Sequence, residues 1–84
     1  MYYVYVLQSA VAEKLYIGSS ATPDERLIAH NAGRGGWSKR YRPWNRVLIE
    51  ESPSRTSAVK RERYLKSGWG RQWLKRHLTA GLAT

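Results

Sequence analysis

The fold is decided by two short runs near the start of the chain, residues 2–8 (YYVYVLQ) and residues 14–19 (KLYIGS). Both runs are rich in β-branched and aromatic residues, which favour β-strands. The polar connection over residues 9–13 suits an antiparallel hairpin between them. Because nearly every position in the two runs is apolar, we expect them to lie centrally in a sheet or in one that is covered on both faces.

A helix start follows the predicted hairpin. Thr22 is a candidate N-cap, Pro23 fits the first helical position, and Glu25 lies three residues after Thr22, as in a capping box. Gly33 is expected to end this helix. A basic, glycine-rich loop is expected over residues 34–43.

The second half of the chain predicts one more strand and two more helices. Residues 46–51 (RVLIEE) predict a strand, and Ser54 or Thr56 can cap a helix that continues until Gly68 interrupts it. A short last helix is expected over residues 71–78. The predicted fold is α/β, a small three-stranded antiparallel sheet flanked by helices in the order β-β-α-β-α-α.

The composition limits the expected organisation to one domain over residues 1–84, with room for one small core. There is no cysteine, so neither a disulfide nor a thiolate metal site can support that core. No apolar run approaches the roughly 20 residues of a membrane span, and the N-terminus does not have the pattern of a signal peptide. We therefore expect no membrane contact and a cytoplasmic location.

The charge is the most informative part of the composition. Fifteen Lys and Arg against six Asp and Glu give a net charge of +9. Residues 1–33 carry two cations and three carboxylates, a net of −1, whereas residues 34–84 carry thirteen and three, a net of +10. Nucleic acid is the leading partner for such a surface. The alternative is a basic surface that serves only solubility or a ribosome-like setting.

Few residues are available for hydrolytic chemistry. There is no thiol nucleophile, and the two histidines do not form a zinc pattern. Arg26 and His30 are four residues apart, so they project from the same face of the first predicted helix. Together they would make a phosphate clamp with a proton carrier. The alternative is an ordinary solvated helix face.

Glu62 and the strand tyrosines complete the candidates. Glu62 is surrounded in sequence by cations, so it is either a ligand for a hard metal ion or the partner of Lys66 in an intrahelical ion pair. Tyr5 and Tyr16 are either core residues or catalytic ones. A tyrosine acts as a base only if nearby cations, such as Arg26 or a metal, lower its usual pKa of about 10.

An ordered set of motifs runs from Tyr2 to about Leu78. It comprises Tyr3-Val4-Tyr5, Tyr16-Ile17-Gly18, Arg26-Leu27, His30-Asn31, residues 60–66 (KRERYLK) and residues 68–71 (GWGR). In this combination the sequence resembles the GIY-YIG nuclease superfamily, and in particular its small, single-domain bacterial branch. The fold of that family, a three-stranded antiparallel sheet with flanking helices, agrees with the predicted order of elements.

The resemblance implies a role for each matching residue. Tyr5 and Tyr16 would face the scissile phosphate, with Tyr5 often assigned as the general base for the attacking water. Arg26 would hold and neutralise the phosphate, and His30 would transfer or position a proton. Glu62 would bind a single Mg²⁺ or Mn²⁺ ion.

Gly18 is implied to allow a close approach of the backbone at the site, which also follows from its lack of a Cβ. Two features depart from the family pattern. The first motif reads Tyr-Val-Tyr instead of Gly-Ile-Tyr, and no Asn follows Asn45, whereas several nucleases of the family place one beyond the metal-binding Glu. The second departure leaves the electrostatic environment of the cleaved phosphate open.

Basic residues interleaved with aromatic ones suit a nucleic-acid backbone and unpaired bases. The predicted nucleic-acid-binding residues are Arg34, Lys39, Arg40, Arg42, Arg46, Lys60 and Arg63. The neighbouring aromatic residues are Trp37, Tyr41 and Trp44, and the alternative for Tyr41 and Trp44 is that they pack beneath the loop. Trp69 and Trp73 are expected in the core or in a lid.

The leading hypothesis is a metal-dependent endonuclease that hydrolyses DNA and is directed by DNA structure more than by sequence, as in DNA repair. The expected partner is DNA, branched or single-stranded, with RNA left open. One alternative is a nucleic-acid-binding module of the same fold with weak or no catalysis. Another is a subunit whose protein partner supplies specificity.

Overall fold

A three-stranded antiparallel sheet with helices on both faces forms the fold. The computed structural model describes residues 1–34 and 36–82. The strands are β1 (Tyr2–Ser9), β2 (Leu15–Ser20) and β3 (Trp44–Ser52), in the spatial order β2-β1-β3. The helices are α1 (Pro23–Asn31), α2 (Arg55–Lys66) and α3 (Gly68–Leu82), with a short 3₁₀ helix at Ser38–Tyr41. The predicted fold class and the order β-β-α-β-α-α are confirmed.

Strand β1 is central, and its alternating side chains build two cores. Val4 and Val6 face α2 and α3 and pack with the fully buried residues Ala58, Leu65 and Leu74. Tyr5 and Leu7 point to the opposite face and pack with Trp44 and with partly buried Tyr16, Leu27 and Tyr41. The expectation of a sheet covered on both faces is therefore confirmed.

Helix α1 begins and ends where the sequence predicts, but the mechanism of its start differs. Thr22 occupies the N-cap position and Pro23 the first turn, yet the Thr22 side chain makes no capping hydrogen bond. Instead the backbone N–H of Thr22 donates to the Ser20 hydroxyl at 2.9 Å, so no capping box forms. Gly33 follows the helix with φ of 80°, the left-handed conformation that favours glycine.

The start of α3 differs from the prediction. The helix begins at Gly68 instead of residue 71, because Ser67 is extended and ends α2, and its hydroxyl accepts a hydrogen bond from the Gly70 N–H at 3.3 Å. Gly68 and Gly70 are thus part of the helix. Gly70 lies so close to the end of α2 that an added Cβ would be 1.9 Å from the carbonyl oxygen of Tyr64.

Strand β3 also begins earlier than predicted, at Trp44. The Asn31 side chain at the end of α1 holds this start, since its Oδ1 accepts from the Trp44 N–H at 2.6 Å and its Nδ2 donates to the Trp44 carbonyl at 3.1 Å. Ser54 caps α2, with its hydroxyl accepting from the Ser57 N–H at 3.2 Å.

None of the helices in the described part of the chain combines the length and the hydrophobicity that a membrane span requires.

We expect Gly70→Ala to destabilise the protein, although alanine is the better helix former by about 1 kcal/mol. The added methyl group would collide with backbone atoms of Tyr64 and Leu65, so α3 must shift from α2. Overpacking of this kind costs about 1–3 kcal/mol, measured as the free energy of unfolding in urea. Gly68→Ala is the control, because its Cβ would have no atom within 4 Å. An equal effect of the two substitutions would contradict the close approach.

Candidate functional site

Two tyrosines lie side by side on the α1 face of the sheet. Tyr5 is buried in β1, and the half-buried Tyr16 of β2 stacks beside it with ring centroids 6.3 Å apart and planes inclined by 17°. Gly18 is directly opposite Tyr5 in the β1–β2 pairing. A Cβ at Gly18 would lie 2.7 Å from the Tyr5 hydroxyl oxygen, so the Tyr5 ring occupies the space that glycine leaves.

Arg26 on α1 brings a guanidinium to both phenols. The side chain is exposed, and its guanidinium lies close enough to interact with the phenols of both Tyr5 and Tyr16. Burial raises the pKa of Tyr5 above its usual 10.0, and the charges of Tyr16 and Glu62 act in the same direction. Arg26 lowers the pKa as expected from the sequence, but burial outweighs it. Tyr5 therefore keeps its proton in the free protein.

His30 is buried under the same face of α1, with 6% of its surface exposed. Its Nδ1 is 2.8 Å from the Ser38 hydroxyl, and its ring centroid lies 4.3 Å from that of Tyr16. Its Nε2 is buried without a hydrogen-bond partner among the residues that the structure describes. Burial, together with the charge of Arg26, lowers the pKa of His30 from 6.5, so a neutral imidazole faces the tyrosines near neutral pH.

Glu62 approaches the site from α2, on the other face of the sheet. Its Oε1 accepts a hydrogen bond from the Ser19 hydroxyl at 2.6 Å, and its Oε2 accepts one from the Lys66 ammonium at 2.7 Å. Burial alone would raise the pKa of this carboxyl group, but the hydrogen bonds from Lys66 and Ser19 and the charge of Arg63 hold it below 4.5. The side chain is therefore an ionised oxygen ligand, and it also makes the ion pair with Lys66 that the sequence left as its alternative.

This donor set fits a hard divalent cation that relies on few protein ligands. A carboxylate offers about four lone pairs, of which the two protein donors use two. In the described part of the chain there is no group of three or more His, Cys, Asp or Glu side chains that could hold an ion. Waters and substrate oxygens would have to complete the coordination shell, as Mg²⁺ commonly allows.

The predicted nucleic-acid-binding residues separate into groups. Arg46 forms a salt bridge with Asp24, and the Arg42 guanidinium lies against Gly33, so both have local structural contacts. Arg34 lines a small cavity of about 110 Å³ next to Arg26 and His30. The remaining predicted residues are exposed: Lys39, Arg40, Lys60 and Arg63.

The tryptophan residues differ in how deeply they are buried. Trp44 is buried and donates its Nε1–H to the Ser38 carbonyl at 2.8 Å, so the alternative of packing beneath the loop is confirmed for it. Trp73 is partly buried against the core. Trp69 is not a core residue, because it is 77% exposed on the first turn of α3.

Sequence reasoning missed the two serines that hold site residues. Ser19 follows Gly18 in β2 and therefore points to the opposite face, towards Glu62, which strand alternation could have indicated. Ser38, the first residue of the 3₁₀ helix, reaches His30, and no sequence pattern signals such a contact.

Comparison with known proteins places this arrangement among nucleases. A family model described as the GIY-YIG catalytic domain matches residues 1–76. Similar fungal proteins named "Structure-specific endonuclease subunit slx1" come from Aspergillus fumigatus, 39% identical over 92% of this chain and 19% of the relative, and Aspergillus oryzae, 42% identical over 92% and 21%. A protein of that name from Cryptococcus neoformans is 33% identical over 92% and 16%.

The chain thus spans between 16% and 21% of the length of these relatives. All three are fungal, so they do not support the bacterial branch expected from the sequence.

We expect His30 to make the protein less stable as the pH falls. Because its pKa is lowered in the folded state, the unfolded chain binds more protons below pH 6.5. The free energy of unfolding should therefore fall as the pH drops from 6.5 through the folded-state pKa, and the loss should level off below it. Urea denaturation of wild type and His30→Gln across this range tests the effect. A pH dependence that is the same in His30→Gln as in wild type would contradict the effect.

Proposed function

This chain belongs to the GIY-YIG family, and from that premise we propose that it is an endonuclease domain that hydrolyses DNA phosphodiester bonds with the help of Mg²⁺ or Mn²⁺. The observation that carries the proposal is the meeting of Arg26 with the hydroxyl groups of Tyr5 and Tyr16 above a neutral, buried His30. Glu62, from the opposite face, acts electrostatically on Tyr5.

We propose that Arg26 binds the scissile phosphate. Its guanidinium is exposed, always charged and already directed at both phenols, so it can neutralise charge that develops on the phosphate without reorganising. Tyr5 and Tyr16 provide hydroxyl groups beside it. Cleavage of a phosphodiester needs this kind of prepared charge stabilisation.

Tyr5 and His30 have different proposed roles in proton transfer. Tyr5 is the proposed general base, and because its pKa is raised in the free protein, it must lose its proton in the substrate complex. His30 is neutral, and in the tautomer whose Nδ1–H donates to the Ser38 hydroxyl its Nε2 has a free lone pair that can accept a proton at the Tyr16 side of the site. A solvated helix face, the alternative for Arg26 and His30, does not explain a buried imidazole.

Glu62 would hold the divalent ion through the lone pairs that Ser19 and Lys66 leave free. A bound ion supplies Lewis-acid stabilisation of phosphate oxygens. With one protein carboxylate, its affinity without DNA should be weak.

The relatives' name supports a proposal on substrate and partner. They are called subunits of a structure-specific endonuclease, so we propose that this domain, residues 1–84, acts on branched or partly single-stranded DNA and works with a protein partner. RNA stays an open alternative. The role in DNA repair inferred from the sequence is part of the same proposal.

A binding module without catalysis is the second candidate. Two observations favour it: both oxygens of Glu62 already have protein partners, and no Asn follows Asn45. Such a module would bind DNA with an affinity that falls steeply with salt, with a log–log slope of roughly −4 for about five neutralised phosphates. It would cleave no substrate with any divalent ion.

Cleavage of branched DNA in Mg²⁺ or Mn²⁺ should fall at least about a hundredfold for Arg26→Ala and for Glu62→Gln, as is typical when a group that stabilises the transition state is lost. Single-turnover assays on gels measure this. The matched controls are Arg55→Ala and Glu51→Gln, which change exposed residues, and Glu51 is paired with Tyr3 and not with Tyr5. If both site variants cleave as well as their controls, the assigned site is wrong.

A further inference from the structure

A continuous groove runs along the free edge of β2, between this strand and α3. Three adjoining cavities of about 240, 430 and 450 Å³ form it, and all three are lined by Leu15 and Arg71. One end opens beside Tyr16 and Lys66, and the other ends at Lys75 and Leu78. We call this feature the β2–α3 groove. It begins at the candidate site and leads away from it.

The charge of the groove is strongly positive. Its cations are Lys14, Lys66, Arg71 and Lys75, and Glu13 is the carboxylate that lines it. Lys66 is shared with Glu62. In the described part of the chain, the other three cations have no salt-bridge partner. The Nε of Arg71 donates to the Lys66 carbonyl at 3.2 Å, which anchors the guanidinium at the wall.

Trp37 adds an aromatic surface to the wall of the groove. One part of its indole packs on Tyr41 and Trp44, with centroids 5.0 and 5.8 Å away, yet 48% of the residue is exposed. This indole is fixed by packing, is accessible to solvent and lies next to cations. Such a combination suits the binding of unpaired bases, because any base can stack on the indole while the cations contact phosphates.

We propose that the β2–α3 groove binds one unpaired DNA strand and guides it to Tyr16, at the end of the groove next to the candidate site. Lys14, Arg71 and Lys75 contact its phosphates, and Trp37 stacks on a base. This proposal rests on the proposed function and narrows its substrate class to DNA with a single-stranded arm. A simpler explanation of these cations is that they protect the free edge of β2 from pairing with another chain. That explanation requires no accessible indole and no preference for single strands.

The test measures binding without catalysis. Fluorescence anisotropy in EDTA follows a labelled oligothymidylate and, separately, a blunt duplex of the same length. Arg71→Ala should weaken binding of the oligothymidylate about five- to tenfold and reduce its log–log salt slope by about 0.7, the loss of one single-strand phosphate contact. Arg76→Ala is the matched control, because it removes the same charge from the same helix at an exposed position outside the groove.

A second variant tests the stacking surface and does not depend on the first. Trp37→Leu keeps an apolar side chain against Tyr41, so the fold should persist, and thermal melting checks this. It should weaken binding of the oligothymidylate about tenfold but leave binding of an abasic strand unchanged. Lys75→Ala, at an exposed position, repeats the phosphate test in case Arg71→Ala disturbs the start of α3.

The outcomes separate this proposal from the proposed function. Equal effects of Arg71→Ala, Lys75→Ala and Arg76→Ala would show that only net charge matters and would overturn the groove. Competition by polyglutamate as strong as by oligothymidylate would overturn it in favour of an acidic protein partner. If the groove variants weaken strand binding while no cleavage occurs under any condition, the groove stands and the nuclease proposal fails.

Discussion

The burial of β1 on both faces is the constraint on which the rest of the structure depends. A central strand in a chain of 84 residues must supply both cores, so its odd and even positions serve different layers. Val4 and Val6 anchor α2 and α3, whereas Tyr5 and Leu7 anchor the layer of α1. Tyr5 is thus a core residue, and the catalytic role that we propose for it would be carried out by the same buried side chain.

The burial of Tyr5 explains the electrostatics around it. A phenol placed in the core is desolvated, and desolvation keeps it protonated despite the neighbouring Arg26. The same strand pairing sends Gly18 to one face and Ser19 to the other. Two consecutive residues of β2 therefore contact Tyr5 on one face of the sheet and Glu62 on the other.

Much of the fold could be predicted from local signals, and the site only in part. Strand composition and the Pro23–Gly33 helix limits were enough for the order of elements, because those signals are local. The start of α3 was mispredicted because two glycines indicate a break by propensity, while Gly70 serves the contact with α2. The burial of His30 depends on Ser38 and Tyr16, which are distant in sequence, so no pattern within α1 could indicate it.

Because Glu62 pairs with Lys66, folding does not need a bound cation to neutralise this carboxylate. A half-buried carboxylate without a counter-charge would cost the empty protein stability, and folding would then depend on a cation from solution. Here the compensation comes from the next turn of the same helix and from Ser19. The carboxylate of Glu62 therefore has its charge compensated within the protein, without a bound cation.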